Sequence, residues 1–241
     1  MTPGCRYHRP MCGRFSITTA PEAMRALFDY ENLPNLEPRF NVAPTQMVAC
    51  ITANDAGVRR LEFFRWGLIP SWAKDASMGA RMINARAETV ADKPSFREAF
   101  AARRCLVAAD GFYEWRMEEG RKQPFRIGMK GGGPFAFAGL WEEWTATGDG
   151  AGISEGETVR SVTIVTTVAN DKLRPIHARM PVILPPEAYA PWLDAANDRG
   201  GLLSLLRPYP AEPMAFYRVG TAVNNVRNDG PECTAPLRHA V

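Results

Sequence analysis

What this sequence lacks narrows it first. No apolar run approaches the ~20 residues that a membrane-spanning helix needs. The opening MTPGCRYHRPMCGRF holds no apolar segment of secretory type. A cytoplasmic protein is therefore expected. Histidine is scarce, with 3 in 241 residues, and none of the 5 cysteines forms Cys-x-x-Cys. An odd number of cysteines without that spacing argues against a disulfide framework, and so few histidines argue against structural zinc. The spacing Cys5-x-x-His8-x-x-x-Cys12 offers only three ligands in an unpatterned stretch, so neither a metal nor a cofactor is expected. A surplus of one charge is also missing: 29 basic against 26 acidic residues leave a net charge of +3. That balance neither demands nor excludes a nucleic-acid partner, because a local groove of arginines can hold phosphate on a nearly neutral protein.

What is present is ordinary for a globular chain, 46% apolar and 23% charged. Residues 1–10 carry no periodic pattern and stand before a second methionine, Met11. They read as a disordered leader or a start codon placed too early. Thr19-Ala20-Pro21-Glu22 has the capping-box pattern and opens a helix through Met24, Leu27 and Phe28. Strands are expected over 46–52 and 58–66, joined by an Asn54-Asp55-Ala56-Gly57 turn. Ser95-Phe96-Arg97-Glu98 is a second capping box, for a helix ending near Arg103. Further strands are expected over 105–109, 112–116, 124–129, 135–141, 161–168 and 216–219. The β-branched 161–168 stretch reads as central, and 145–157 as a flexible surface loop. A helix from Pro185-Pro186-Glu187 to about Ala196 and a short one over 202–206 complete the pattern. There is no repeat and no strict β-α-β alternation. The expected class is α+β: one domain over 11–235, built on a curved, mostly antiparallel, barrel-like sheet with peripheral helices, and a tail over 236–241.

Six segments set polar residues among aromatic or turn residues without an obvious structural need. They are Met11-Cys12-Gly13-Arg14-Phe15, Arg39-Phe40-Asn41-Val42-Ala43-Pro44, Trp66-Gly67-Leu68-Ile69-Pro70-Ser71-Trp72, Ile83-Asn84-Ala85-Arg86-Ala87-Glu88, Gly111-Phe112-Tyr113-Glu114-Trp115 and Ile176-His177-Ala178-Arg179-Met180-Pro181. Each has a plain reading. A free Cys is usually a small core residue, and two Trp around a Gly/Pro turn suit a core as well as a stacking platform. For Asn41, before a Pro turn, the structural reading is preferred. A carboxylate between Tyr113 and Trp115 is expected to be desolvated and its pKa raised. His177 is the one histidine away from the terminal tails. Jointly, one Cys, one Asn, one Glu, one His and several Arg fit an acid/base site near a nucleophile, beside an anion-binding surface.

Taken in order, Met11-Cys12-Gly13-Arg14, Asn41-Val42-Ala43-Pro44, Trp66-Gly67, Asn84-Ala85-Arg86, Glu114-Trp115 and His177-Ala178-Arg179-Met180-Pro181 closely resemble the hallmarks of the SRAP family. These are the SOS-response-associated peptidases, also called abasic site processing proteins. The resemblance runs over nearly all of residues 11 to about 232. It implies a monomer that binds single-stranded DNA, captures abasic sites covalently, and associates with the nucleoid when bound. It also implies Cys12 as nucleophile, with Asn84, Glu114 and His177 as its catalytic partners. Arg86 and Arg179 would bind phosphate, with Arg14 close by; Trp72 and Thr166 match positions near the DNA more loosely. The single Trp in Pro70-Ser71-Trp72-Ala73 departs from related sequences that carry two in a row, which bears on the stacking surface.

Two other readings stay open at this point. One is a cysteine peptidase or hydrolase using Cys12 and His177, which would need no free α-amine. The other is a non-catalytic single-strand binder that relies on its arginines. The residues before Cys12 leave three accounts: a true start at Met11 followed by its removal, self-cleavage of the Met11–Cys12 bond, or a leader that persists and prevents cross-linking.

Overall fold

The computed structural model describes residues 13–150 and 152–237. The expected leader, Met11, Cys12 and residues 238–241 lie outside them. The strands are β1 (Phe15–Ile17), β2 (Arg39–Val42), β3 (Met47–Ala53), β4 (Arg59–Trp66), β5 (Asn84–Arg86), β6 (Arg104–Ala109) and β7 (Gly111–Glu118). After them come β8 (Arg121–Met129), β9 (Phe135–Thr145), β10 (Thr158–Val168), β11 (Arg179–Pro181), β12 (Ile183–Leu184) and β13 (Met214–Arg218). Among the described residues the α-helices are α1 (Pro21–Phe28), α2 (Arg97–Ala102), α3 (Tyr189–Leu193) and α4 (Arg199–Leu205).

The β-branched strand β10 organises the barrel. One of its edges takes β4 and then β5, both parallel; the other takes β9 and then β11, both antiparallel. Antiparallel pairing of β4 with β3, β3 with β6 and β6 with β9 completes the circuit, so β10, β4, β3, β6 and β9 close into a five-stranded barrel. A second, wholly antiparallel sheet runs β13-β8-β7-β1-β2. The result is the α+β, mostly antiparallel, single-domain class expected from the sequence.

Strands β3, β6, β9 and β10 bury consecutive residues and so read as continuous runs, whereas β4 alternates buried and outward polar positions. Ala49, Ile51, Leu106 and Val165 pack under Met24, Phe28, Phe100 and Trp192 of the helices. Cys50, Val107, Phe137 and Ile164 meet Phe15, Phe112, Phe125 and Ile127 of the second sheet. Phe137 joins the two sheets, with its ring 5.8 Å from Phe15 and 6.0 Å from Phe112 in edge-on contacts. Each such pair adds roughly 0.5–1.5 kcal/mol beyond the area it buries. Buried Arg104 donates to the carbonyls of Phe100 and Ala101 at the end of α2, and to those of Trp192 and Asp194 at the end of α3. One guanidinium thereby satisfies the orphan carbonyls of two helices.

Several local expectations are corrected. Neither capping box forms. The Thr19 hydroxyl donates instead to Asp110 Oδ2 at 3.2 Å, and Ala20 becomes the N-cap of α1. The stronger acceptor wins: the buried Asp110 carboxylate also draws the hydroxyls of Ser16 and Thr18, each at 2.7 Å, and Arg126 at 2.8 Å. Helix α2 starts at Arg97 after Phe96, with no side-chain cap. The helix expected from Pro185 to about Ala196 is shorter, a 3-10 turn over Pro186–Ala188 leading into α3. Segment 145–157 is anchored rather than wholly solvated, because Ile153 and Ala146 are buried beside Trp144 and Ile69. Pairing also continues past residue 235: Pro236 bridges Val219, and the Leu237 N–H donates to the Arg218 carbonyl at 2.9 Å. Among the described residues no helix is long and apolar enough to cross a membrane.

Candidate active site

A cleft of about 490 Å³ opens where turns and strand ends of both sheets meet. That is the size range of small-ligand sites. Its walls are Gly13 and Arg14 before β1, Pro44 in the β2–β3 turn and Ile83 before β5. Glu114, Trp115 and Met117 of β7, Lys122 of β8, His177 before β11 and Asn224 near the chain's end complete them.

Glu114 is only 5% exposed and stands between Tyr113 and Trp115, both held in place. The Tyr113 hydroxyl donates to the Phe40 carbonyl at 2.6 Å, and burial pushes its pKa well up. Trp115 Nε1 donates to Asn224 Oδ1 at 2.7 Å. His177 Nδ1 lies 3.1 Å from the Arg179 amide nitrogen and 3.0 Å from the Arg179 carbonyl. An amide N–H can only donate, so a neutral ring that keeps this bond carries its proton on Nε2. Asn84, half-buried, opens β5 opposite Ile164 of β10, directly after the cleft residue Ile83.

Arg14 is tied inward. Its Nη1 donates to Asn41 Oδ1 at 2.9 Å and to the Val223 carbonyl. Burial lowers its pKa from the ordinary guanidinium value, which still leaves it charged at neutral pH. Asn41 is fully buried, and its Nδ2 donates to the carbonyls of Val223, Asn225 and Asn228 at 3.2, 3.0 and 2.8 Å. Asp229 accepts from the amides of Phe40 at 2.6 Å and Asn41 at 2.8 Å. This latch fastens the chain's end to its beginning and carries Asn224 to the cleft wall. The structural reading of Asn41 agrees with these contacts.

The remaining expected residues lie beside the cleft or away from it. Arg179 donates to both Glu88 carboxylate oxygens, and its Nη2 to the Thr166 carbonyl at 2.6 Å. Thr166 itself is fully buried, with its hydroxyl donating to Ala85 at 3.3 Å. It supports Arg179 from behind and has no open surface of its own. Arg86 is exposed, opposite Thr166 in the β5–β10 pairing. Trp72 is 56% exposed in the loop after β4 and does not line the cleft. That loop is pinned where Gly67, at φ +121°, meets Gly79; a Cβ on either would fall 2.5 Å from the other's carbonyl oxygen. Cys12 lies outside the described residues, but its neighbour Gly13 is on the cleft wall. Among the described residues no three of His, Cys, Asp or Glu gather as a metal site.

Sequence reasoning missed Asn224, Lys122 and the latch. The polar run 224–229 was visible, but nothing local says that it docks against Arg14 and Asn41. Lys122 sits in a charged turn like many others and gains meaning only from the pairing of Met117 with it.

A closed barrel joined to a second antiparallel sheet, with a carboxylate, an imidazole and the residues leading into β1 meeting in one cleft, defines a single-domain α+β protein. The family model for SOS response associated peptidase (SRAP) matches residues 11–226, and the chain belongs to that family. It is 44% identical over 227 residues to the abasic site processing protein YoqW of Bacillus subtilis, covering 92% of this chain and 98% of that one. It is 31% identical over 271 residues to the abasic site processing protein HMCES of Xenopus tropicalis, covering 94% and 78% of the two chains. The crystal structure of a Bacteroides thetaiotaomicron protein superposes with a TM-score of 0.83 at 28% identity, covering 94% of this chain and all of that one.

Proposed function

We propose that the protein acts in the DNA damage response by capturing abasic sites in single-stranded DNA through a covalent bond from Cys12. The observation that carries this reading is Gly13 on the wall of the cleft that also holds Glu114 and His177. Gly13 directly follows Cys12 in the sequence, one peptide bond away. The names of the relatives, abasic site processing proteins, point the same way.

An abasic site is a sugar in equilibrium with its open-chain aldehyde. If Cys12 is the first residue, its α-amine and its thiol flank the same Cα. The amine adds to the aldehyde carbon, water leaves, and an imine forms. The thiolate then adds to the imine carbon and closes a five-membered thiazolidine ring. One C–N and one C–S bond have formed, and one water is lost. Amine and thiol titrate near ~8 and ~8.5 in simple peptides, so both are partly reactive at neutral pH. Glu114 moves the protons of sugar ring opening and water loss. The Nε2–H of His177 donates a hydrogen bond to the departing oxygen, whose proton comes from Glu114, and Asn84 orients the amine or a sugar hydroxyl. Arg86 and Arg179 meet the flanking phosphates, and Trp72 offers a flat face to a neighbouring base. Thr166 acts through Arg179.

A cysteine preceded by another residue has no free amine and makes only a reversible hemithioacetal. Exposure of Cys12, by removal of Met11 or by cleavage of the Met11–Cys12 bond, is therefore part of the proposal. The test mixes protein beginning at Cys12 with abasic single-stranded DNA and separates the products on a denaturing gel. A shifted band is expected, absent from Cys12→Ala and from protein carrying one extra residue before Cys12. No band, or an equal band in either variant, overturns the reading. Hydrolytic activity that survives the extra residue would favour a cysteine hydrolase instead.

A further inference from the structure

The Arg179 guanidinium already holds an anion. Its Nη1 and Nη2 donate to Glu88 Oε1 and Oε2 at 2.9 and 3.0 Å. Nη2 also meets the Thr166 carbonyl at 2.6 Å and the Thr166 hydroxyl at 3.3 Å. Nε is buried, with no partner among the described residues. The Arg179 side chain is 16% exposed and that of Glu88 48% exposed, so the carboxylate is the outer half of the pair. Carboxylates and phosphates both offer a guanidinium two acceptor oxygens that its fork can bind in parallel. Glu88 therefore occupies the place that two phosphate oxygens would take. Ala87, buried, separates it from Arg86, whose charge also acts on Glu88. One carboxylate thus lies in the field of both arginines assigned to the DNA backbone.

We infer that Glu88 is an internal stand-in for a DNA phosphate: it fills the anion seat of Arg179 in the free protein, and the single strand must displace it to bind. This rests on the DNA-binding reading above and names a residue that sets the affinity of that site. The Arg179 hydrogen bonds outweigh partial burial and hold the Glu88 carboxyl below its ordinary pKa, so Glu88 is an anion at neutral pH. Displacement is feasible because Glu88, the outer partner, is half exposed and water can take over its hydrogen bonds as it leaves. Its effect is to weaken every occupant of the seat equally. Only a ligand that gains a second contact, at Arg86 or in the cleft, then binds well.

The test titrates wild type, Glu88→Gln and Glu88→Ala with a short single strand carrying a tetrahydrofuran abasic analogue, across a range of salt. The analogue has no aldehyde, so the cross-linking chemistry is not involved. Both variants are expected to bind about 2- to 5-fold tighter at low salt, the fold-change equivalent of the pair's worth. The salt dependence of Glu88→Gln is expected to be steeper by up to about 0.7 in log–log slope. In the wild type the freed carboxylate takes back a cation that phosphate binding had released. The gain should vanish in the double variant Glu88→Gln, Arg179→Ala. Should Glu88→Gln bind no tighter, or Glu88→Ala weaker still, Glu88 orients Arg179 instead and the inference falls alone. If the wild type fails to bind but Glu88→Gln binds, the inference stands. If neither binds, the inference and the DNA reading fall together. Glu88→Asp, with a shorter reach to Arg179, should fall between wild type and Glu88→Gln and serves if the other variants misfold.

Discussion

Replacing Asn41 with alanine removes the centre of the latch. The two Nδ2 hydrogens serve three carbonyls, on Val223, Asn225 and Asn228, at 2.8–3.2 Å, and Oδ1 accepts from the charged Arg14 at 2.9 Å. Neutral bonds contribute about 1 kcal/mol each and a bond to a charged group about 1.5–3. Two of the former and one of the latter give about 3.5–5 kcal/mol. Water entering the space left by the amide would recover part of this, so about 3 kcal/mol is expected. For a domain of this length, that lowers Tm by about 6–12 °C. The loss should be local as well as global. Hydrogen exchange should quicken at Phe40 and Asn41, whose amides donate to Asp229, and over residues 221–229. The barrel strand β6 should stay protected. Because the latch holds Arg14 and Asn224, the cross-linking rate at saturating DNA should also fall. A Tm within about 2 °C of wild type, with exchange over 221–229 unchanged, would refute the reasoning: the segment would then be held by something other than these bonds.

Three further outcomes are expected. Glu114→Gln keeps the shape of the buried side chain but ends its proton transfer, so the saturating cross-linking rate should fall about 10²- to 10⁴-fold; an unchanged rate, measured by quenched gel time courses, removes Glu114 from the chemistry. Gly67→Ala drives a Cβ to 2.5 Å from the Gly79 carbonyl oxygen at a φ of +121°, whereas Gly57→Ala, at +77°, meets nothing within 4 Å. Urea unfolding should show a loss of about 2–4 kcal/mol for Gly67→Ala and about 1 for Gly57→Ala; equal losses would contradict the close approach. For Asp110, burial alone would push the carboxyl up, but hydrogen bonds from Ser16 and Thr18 and the charge of Arg126 outweigh it and hold the pKa below the ordinary value. A depressed carboxylate stabilises the fold above its unfolded pKa, near ~3.9, and that contribution fades as pH falls through the folded value. Asp110→Asn should therefore be less stable at pH 7, with a flatter loss of urea midpoint below about pH 4; parallel curves would refute this.

Much of the fold was legible because the apolar pattern is unambiguous. The runs in β3, β6 and β10 are too short for helices and too continuous for half-exposed strands, so a doubly buried sheet follows. Strands β1, β2, β5, β11 and β12 escaped, since two to four residues carry no period. The capping boxes misled because Thr19 faces a buried carboxylate 91 residues away in sequence, and the stronger acceptor overrides a local cap. The candidate site was legible for a different reason. Glu114 and His177 each sit beside aromatic or proline neighbours that make a polar side chain conspicuous, and the cleft joins them. The family resemblance set Arg14 close to the phosphate-binding arginines, and in the fold its guanidinium is turned to Asn41 and Val223. Asn224 and the partner of Arg179 depend on long-range contacts that no window of sequence contains.

Cross-linking as proposed closes a ring between the amine and thiol of Cys12 and one sugar carbon. Intact mass of the adduct, formed by protein beginning at Cys12 on an abasic single strand, tests it most directly. The expected value is the summed mass of protein and DNA less one water. An adduct that keeps the full summed mass would contradict it, because a thiol adding alone to the aldehyde loses nothing.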